Sequence, residues 1–206
     1  LSTGLQQIMK SRLFRIHPIM IPFLLFFYLS GEIAVYAIVF GSLIIHELGH
    51  LVAAKAVGGR VTSCTILPYG GEIKIEQFGK WGKREQLIVI LGGPFFTLVV
   101  LLVSKVVDFP QVELLTYTQL VILCLNLLPI YPLDGGRVIN SLFPNLYIEL
   151  ISFSLLISLL IFYTSLYYFP KGLFVSLIFL FIALQNLSFW RFRRYKLAFD
   201  RITKNA

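Results

Sequence analysis

The sequence predicts an all-α polytopic membrane protein that crosses the bilayer six times. Three observations lead there. Hydrophobic residues fill 57% of the 206 positions, against about 45–50% in a soluble domain. Apolar stretches of membrane length recur along the whole chain, leaving little sequence for a separate soluble domain. The basic residues fall in alternate connections between those stretches, as the positive-inside rule requires of a multispanning chain.

The expected spans are Ile16–Leu29, Ile33–Val57, Gln86–Val107, Leu114–Ile130, Leu146–Phe169 and Gly172–Trp190. A perpendicular helix needs about 20 residues to cross the hydrocarbon. The first segment is short and holds His17, Pro18 and Pro22, so it is expected to bend or to lie partly in the interface. The fourth runs into Pro129 and Pro132 and should end there, because proline breaks the helical hydrogen-bond ladder. Threaded in this way, sixteen of the eighteen Lys and Arg lie on one side. Lys105 and Lys171 remain for the other side, with Glu32, Asp108 and Glu113. Both termini are therefore expected in the cytoplasm.

The net charge of +8 sits in loops and in the C-terminal run Arg191–Lys204. This dispersal argues against nucleic acid and for anionic headgroups at the bilayer surface. The N-terminal basic stretch leads into apolar sequence without a small-residue cleavage site, so no cleavable signal is expected. Cys64 and Cys124 occupy different surroundings, and no disulfide is expected between them.

Within the second span stands HELGH, His46–His50. Residues four apart share one face of a helix, so both imidazoles can reach one Zn²⁺, with Glu47 placed as general base on its water. A helix end dipping its polar residues into water is the simpler alternative. Depth argues against it. His46 lies about 13 residues into the span, roughly 20 Å at 1.5 Å per residue, which leaves about 10 Å of a 30 Å core before the cytoplasmic surface. Ionisable groups at such depth usually bind something or line a polar cavity.

A catalytic zinc usually takes three protein ligands and keeps one position open. His17, the remaining histidine, precedes a proline near the end of the first span, and an interfacial or core role suits it better. Asp134, in NLLPIYPLDGGRV (Asn126–Val138), is the other candidate. Gly135 and Gly136 permit a non-helical backbone that could turn this carboxylate inward. Equally, Asp134 could cap a short helix over Gly135–Leu142. The residues alone leave both readings open.

Taken together, these stretches resemble the site-2 proteases, a family of intramembrane zinc metalloproteases. HELGH is similar to the family's first motif, and NLLPIYPLDGG, Asn126–Gly136, to its second. GGPFF, Gly92–Phe96, resembles its glycine-proline step. LPYGGEIKI, Leu67–Ile75, resembles the membrane-associated β-hairpin that follows the HExxH helix. The resemblance implies zinc held by His46, His50 and Asp134, with Glu47 as acid/base and Asn126 helping to hold the substrate backbone. It also implies one membrane-embedded metalloprotease domain over 1–206, with a catalytic core at 33–140 and helices five and six at 146–190. The link Asp108–Glu113 is too short for a PDZ domain, and no CBS domain is expected within the chain.

Among subtypes, the IHP near the N-terminus, LPYGG, PIYPLDGG and the six-span layout are similar to the sporulation type. That type removes the pro-sequence of a membrane-associated sigma factor, has inhibitory membrane partners and sits in the outer forespore membrane. Substrate recognition is expected at Tyr69, Gly70 and Gly71, where a Gly70-Gly71 turn between strands could offer an open edge to an extended peptide. A plain interfacial hairpin is the alternative. For Gly92, Gly93 and Pro94, simple bundle packing is the leading explanation. Two competing functions use the same polar residues: an ion or proton transporter, although no inverted halves are visible, and a catalytically dead receptor, which would have no need of both ligands and base.

Overall fold

The apolar run around HELGH folds as one uninterrupted helix, α1, Ile33–Ala56. No proline interrupts it, and Lys55 in its last turn faces the negative end of the helix dipole. It stops where Gly58 adopts φ 81°, a left-handed conformation that glycine takes without Cβ strain. The Gly58 and Gly59 amides then close onto the carbonyls of Lys55 and Ala54 at 3.0 and 2.8 Å, which satisfies otherwise orphaned acceptors. The computed structural model describes residues 14–16, 18, 21, 25, 28–29, 31, 33–67, 70–108, 110–170 and 172–204. They fall into two compact units, Leu1–Asn126 and Leu127–Ala206.

In the first unit α1 is followed by β2, Val61–Leu67, and β3, Gly70–Ile75, paired antiparallel. An earlier strand, β1, Phe14–Ile16, pairs parallel with β2, giving the order β1-β2-β3. The expected hairpin is thus part of a three-stranded sheet that takes in the start of the expected first span. Gly70 and Gly71 do not form the turn. They are the first residues of β3, paired with Leu67 and Ile66. Pro68, Tyr69 and His17 lie outside the described residues. So does much of the first expected span, in which Ile21, Leu25, Tyr28 and Leu29 are helical.

Helix α2, Lys83–Val103, and helix α3, Val112–Asn126, complete this unit. α2 runs antiparallel to α1 and touches it through glycines: a Cβ on Gly49 would meet the Gly92 carbonyl oxygen, and one on Gly92 would meet that of Gly49. Buried polar side chains pair inside the helices rather than facing lipid. Gln119 Nε2 donates to Ser42 Oγ at 3.0 Å, and Thr116 Oγ1 donates to Ser104 Oγ at 2.9 Å. α3 ends at Asn126, earlier than the expected Ile130, and its 15 residues make it shorter than a full span.

The second unit holds a short helix α4, Asp134–Leu142, and two long ones, α5, Tyr147–Tyr167, and α6, Leu173–Lys204. α5 and α6 join through a tight turn where a Cβ on Gly172 would strike the Ser165 carbonyl oxygen. Beside it, the Ser165 and Ser176 hydroxyls bond at 2.7 Å. Among the described residues, four helices are long and apolar enough to cross a membrane: Ile33–Ala56, Lys83–Val103, Pro144–Tyr167 and Val175–Tyr195. Leucines, phenylalanines and tyrosines lie exposed along them, among them Phe95, Leu102, Leu156 and Leu160. In water such surfaces would aggregate; they suit hydrocarbon.

Candidate metal centre

His46, Glu47 and His50 all lie on the buried side of α1, exposed by 2%, 8% and 5%. The helical spacing brings their potential ligand atoms within 4.8 Å of one another. The two Nε2 atoms face each other at 3.2 Å. The rings meet nearly edge to face, with centroids 4.9 Å apart. Two nitrogens bound tetrahedrally to zinc at 2.0–2.1 Å would be about 3.3–3.4 Å apart, so the pair already stands close to ligand spacing.

Each ring is tied down from behind by α2. His50 Nδ1 lies 2.8 Å from the Val89 carbonyl oxygen. A carbonyl only accepts, so this Nδ1 carries the proton, and a neutral His50 presents a lone pair at Nε2. The Gly93 amide also points at this Nδ1 from 3.3 Å; the shorter contact, in which only the ring can donate, decides the tautomer. His46 Nδ1 lies 2.9 Å from Thr97 Oγ1. Bonds of this kind at the outer nitrogen orient metal-binding imidazoles.

The GGP step has a defined role here, and it is more than the simple bundle packing expected of it. A Cβ on Gly93 would fall 2.2 Å from His50 Nε2. The imidazole occupies the space that any other residue at 93 would fill. His50 therefore meets α2 at Gly93, and His46 meets it one turn further along, at Thr97. Two pairs of residues four apart face each other on antiparallel helices. The donor set, its spacing and this cradle all fit a divalent ion.

Cys64, fully buried on β2, has its thiol pushed up to about 11, by burial first and then by the negative charge of Glu47. Left to itself it is a neutral thiol near neutral pH.

In the second unit, Asp134 is buried and is the first residue of α4; Leu133 holds the cap position. Its carboxylate lies 3.7 Å from Arg137 Nη1. Gly135 and Gly136 are helical, which favours the short helix over the irregular backbone, although Asp134 is its first residue and not its cap. They are needed for close approach instead: Cβ atoms would strike the Leu127 and Leu128 carbonyl oxygens and the Tyr131 amide. The loop ahead of Asp134 is clamped at Tyr131. Its amide donates to Ser154 Oγ on α5 at 2.8 Å, its carbonyl accepts from Asn186 Nδ2 on α6, and its ring packs edge-on against Tyr147 and Phe189. Asn126, at the end of α3 in the first unit, directs its Nδ2 to the Ile122 carbonyl at 3.1 Å.

The structure thus brings together His46, Glu47 and His50 among the sequence-derived candidates; Asp134 belongs to the second unit. Thr97, the Val89 carbonyl, Ser154 and Asn186 were missed. Gly93 and Thr97 carried one legible signal, a four-residue spacing that matches the two histidines.

The model of peptidase family M50 matches residues 34–109. Stage IV sporulation protein FB of Bacillus subtilis is 38% identical over 106 residues, which cover 48% of this chain and 37% of that protein. A zinc metalloprotease of Methanocaldococcus jannaschii is 30% identical over 121 residues, 54% of this chain and 35% of the relative. The chain thus matches little more than a third of the length of these relatives. A solved structure, the site-2 protease from Methanocaldococcus jannaschii, shares the fold with a TM-score of 0.67, at 24% identity, covering 86% of this chain and 90% of that one. Residues 34–109 thus resemble peptidase family M50, and the chain shares its fold with a site-2 protease.

Proposed function

We propose that this protein is an intramembrane zinc metalloendopeptidase that cuts a membrane-tethered protein near the cytoplasmic side of the bilayer. The observation that carries this reading is the pair of imidazole Nε2 atoms 3.2 Å apart, buried in an apolar helix beside Glu47. His46 and His50 would hold the ion, with Asp134 as third ligand. Zinc, when bound, supplies a Lewis acid for the scissile carbonyl and lowers the pKa of its water toward about 7.

Glu47 takes the proton of the attacking water and returns it to the leaving amine, general base and then general acid in one cycle. Val89 and Thr97 keep the imidazoles aligned, and the burial of all three α1 residues strengthens their charge interactions. A helical substrate hides its carbonyls, so it must be extended before attack. β3 is a terminal strand of the sheet among the described residues, and its backbone at Gly70 and Gly71 offers an edge for pairing; Tyr69 is proposed for the same substrate contact. Asn126 is assigned to the substrate backbone.

The similarity to stage IV sporulation protein FB supports a narrower reading. In it the substrate is a sporulation pro-sigma factor, inhibitory membrane partners hold the enzyme in check, and both termini face the cytoplasm. Glu47→Gln tests the chemistry. Co-expressed with a membrane-tethered pro-sigma factor, the variant is expected to retain zinc and lose cleavage by at least about a hundredfold, in the range of general acid–base contributions. Cleavage at the normal rate would remove Glu47 from the mechanism.

A further inference from the structure

We propose that Thr97 is a positioning residue for the metal: its hydroxyl accepts the Nδ1 proton of His46, so that this imidazole turns a lone pair at Nε2 toward the ion. The inference rests on the zinc-site reading above and adds a determinant of metal affinity to it.

The two histidines are not held alike. His50 is anchored by a carbonyl oxygen, which can only accept, so its tautomer is fixed by the backbone of α2. The anchor of His46 is a hydroxyl at 2.9 Å, which can donate or accept. Two arrangements follow. If Thr97 donates to Nδ1, His46 carries its proton at Nε2 and can pass a hydrogen bond to His50 Nε2 across the 3.2 Å gap. If Thr97 accepts from Nδ1, both Nε2 atoms present lone pairs, and only a cation between them relieves the repulsion. A helical threonine can send its own proton to the carbonyl one turn back, which frees an oxygen lone pair for the imidazole. Thr97 is therefore able to serve the metal-free and the metal-bound states by rotating one O–H bond.

Its position supports a specific role. Thr97 is fully buried among apolar residues of α2, where a hydroxyl without a partner would be costly. It stands one turn from Gly93, so the residue that makes room for one ligand and the residue that orients the other lie on a single face of α2. Valine matches threonine in shape and branching and lacks the hydroxyl, so it separates packing from hydrogen bonding. Serine keeps the hydroxyl and loses the methyl group.

The test is the zinc dissociation constant of the purified, detergent-solubilised chain, measured by competition with a chromophoric chelator. Thr97→Val should weaken zinc about 10–100-fold, the usual cost of removing such an outer partner. Thr97→Ser should stay within about threefold of the parent chain, and Thr97→Ala should repeat the valine result if valine fails to fold. In a His46→Ala background, Thr97→Val should have no further effect. Unchanged affinity in Thr97→Val or Thr97→Ala, or an equal loss with His46 absent, overturns the inference while the zinc site stands. A parent chain that holds no zinc overturns the underlying reading instead.

Discussion

At the scale of single residues, the centre is built from what α2 withholds as much as from what α1 supplies. His46, Glu47 and His50 converge because helical geometry places positions i and i+4 together. They can converge at depth only because Gly93 leaves a ring-sized space and Thr97 and Val89 offer oxygen atoms to the outer nitrogens. Gly93→Ala puts a methyl group 2.2 Å from the present His50 Nε2, so the ring must swing and give up its bond to Val89. Zinc affinity is expected to fall at least about tenfold, at a stability cost of about 1–3 kcal/mol from overpacking. Chelator competition together with a thermal melt checks both; an alanine variant that binds zinc like the parent would show that the ring does not need that space.

At the scale of elements, the short helix α4 is held by its neighbours in the second unit. Nine residues are too few for a stable isolated helix. The preceding loop is fixed at Tyr131, whose amide and carbonyl are bonded by Ser154 and Asn186 from two long helices. Each of these side chains also bonds its own helix one turn back, Ser154 to Leu150 and Asn186 to Ile182. Ser154→Ala and Asn186→Leu each strand a Tyr131 backbone group, at about 1–3 kcal/mol apiece. Both should lower the unfolding midpoint, and both should slow cleavage if the loop sets the position of Asp134. A variant that melts early yet cleaves at the parent rate would separate the clamp from the site.

Across the whole molecule, local pattern was readable and non-local pairing was not. HELGH is a property of five consecutive residues on a helix, so its geometry follows from spacing alone. Long apolar helices are likewise read from composition, and four of the expected spans reappear as α1, α2, α5 and α6, with shifts at their ends. The parallel pairing of β1 with β2 joins residues about fifty positions apart, and no short-range pattern encodes it. Gly135 and Gly136 were read as conformational freedom, whereas they serve contact with the Leu127–Tyr131 backbone, a packing fact invisible to a linear reading. In the linear sequence little beyond its spacing from Gly93 marks Thr97 out within an apolar helix; its role follows from the packing of α2 against the histidines.

The claim on which the rest depends is that one zinc ion is gripped by two imidazoles and a carboxylate. Zinc K-edge X-ray absorption on the purified chain tests it most directly. One zinc per chain is expected, with nitrogen and oxygen neighbours at about 2.0–2.2 Å, scattering from two imidazoles, and loss of one oxygen neighbour in Asp134→Ala. A sulfur neighbour at about 2.3 Å, which would bring in Cys64, or a zinc environment unchanged in Asp134→Ala, would contradict it.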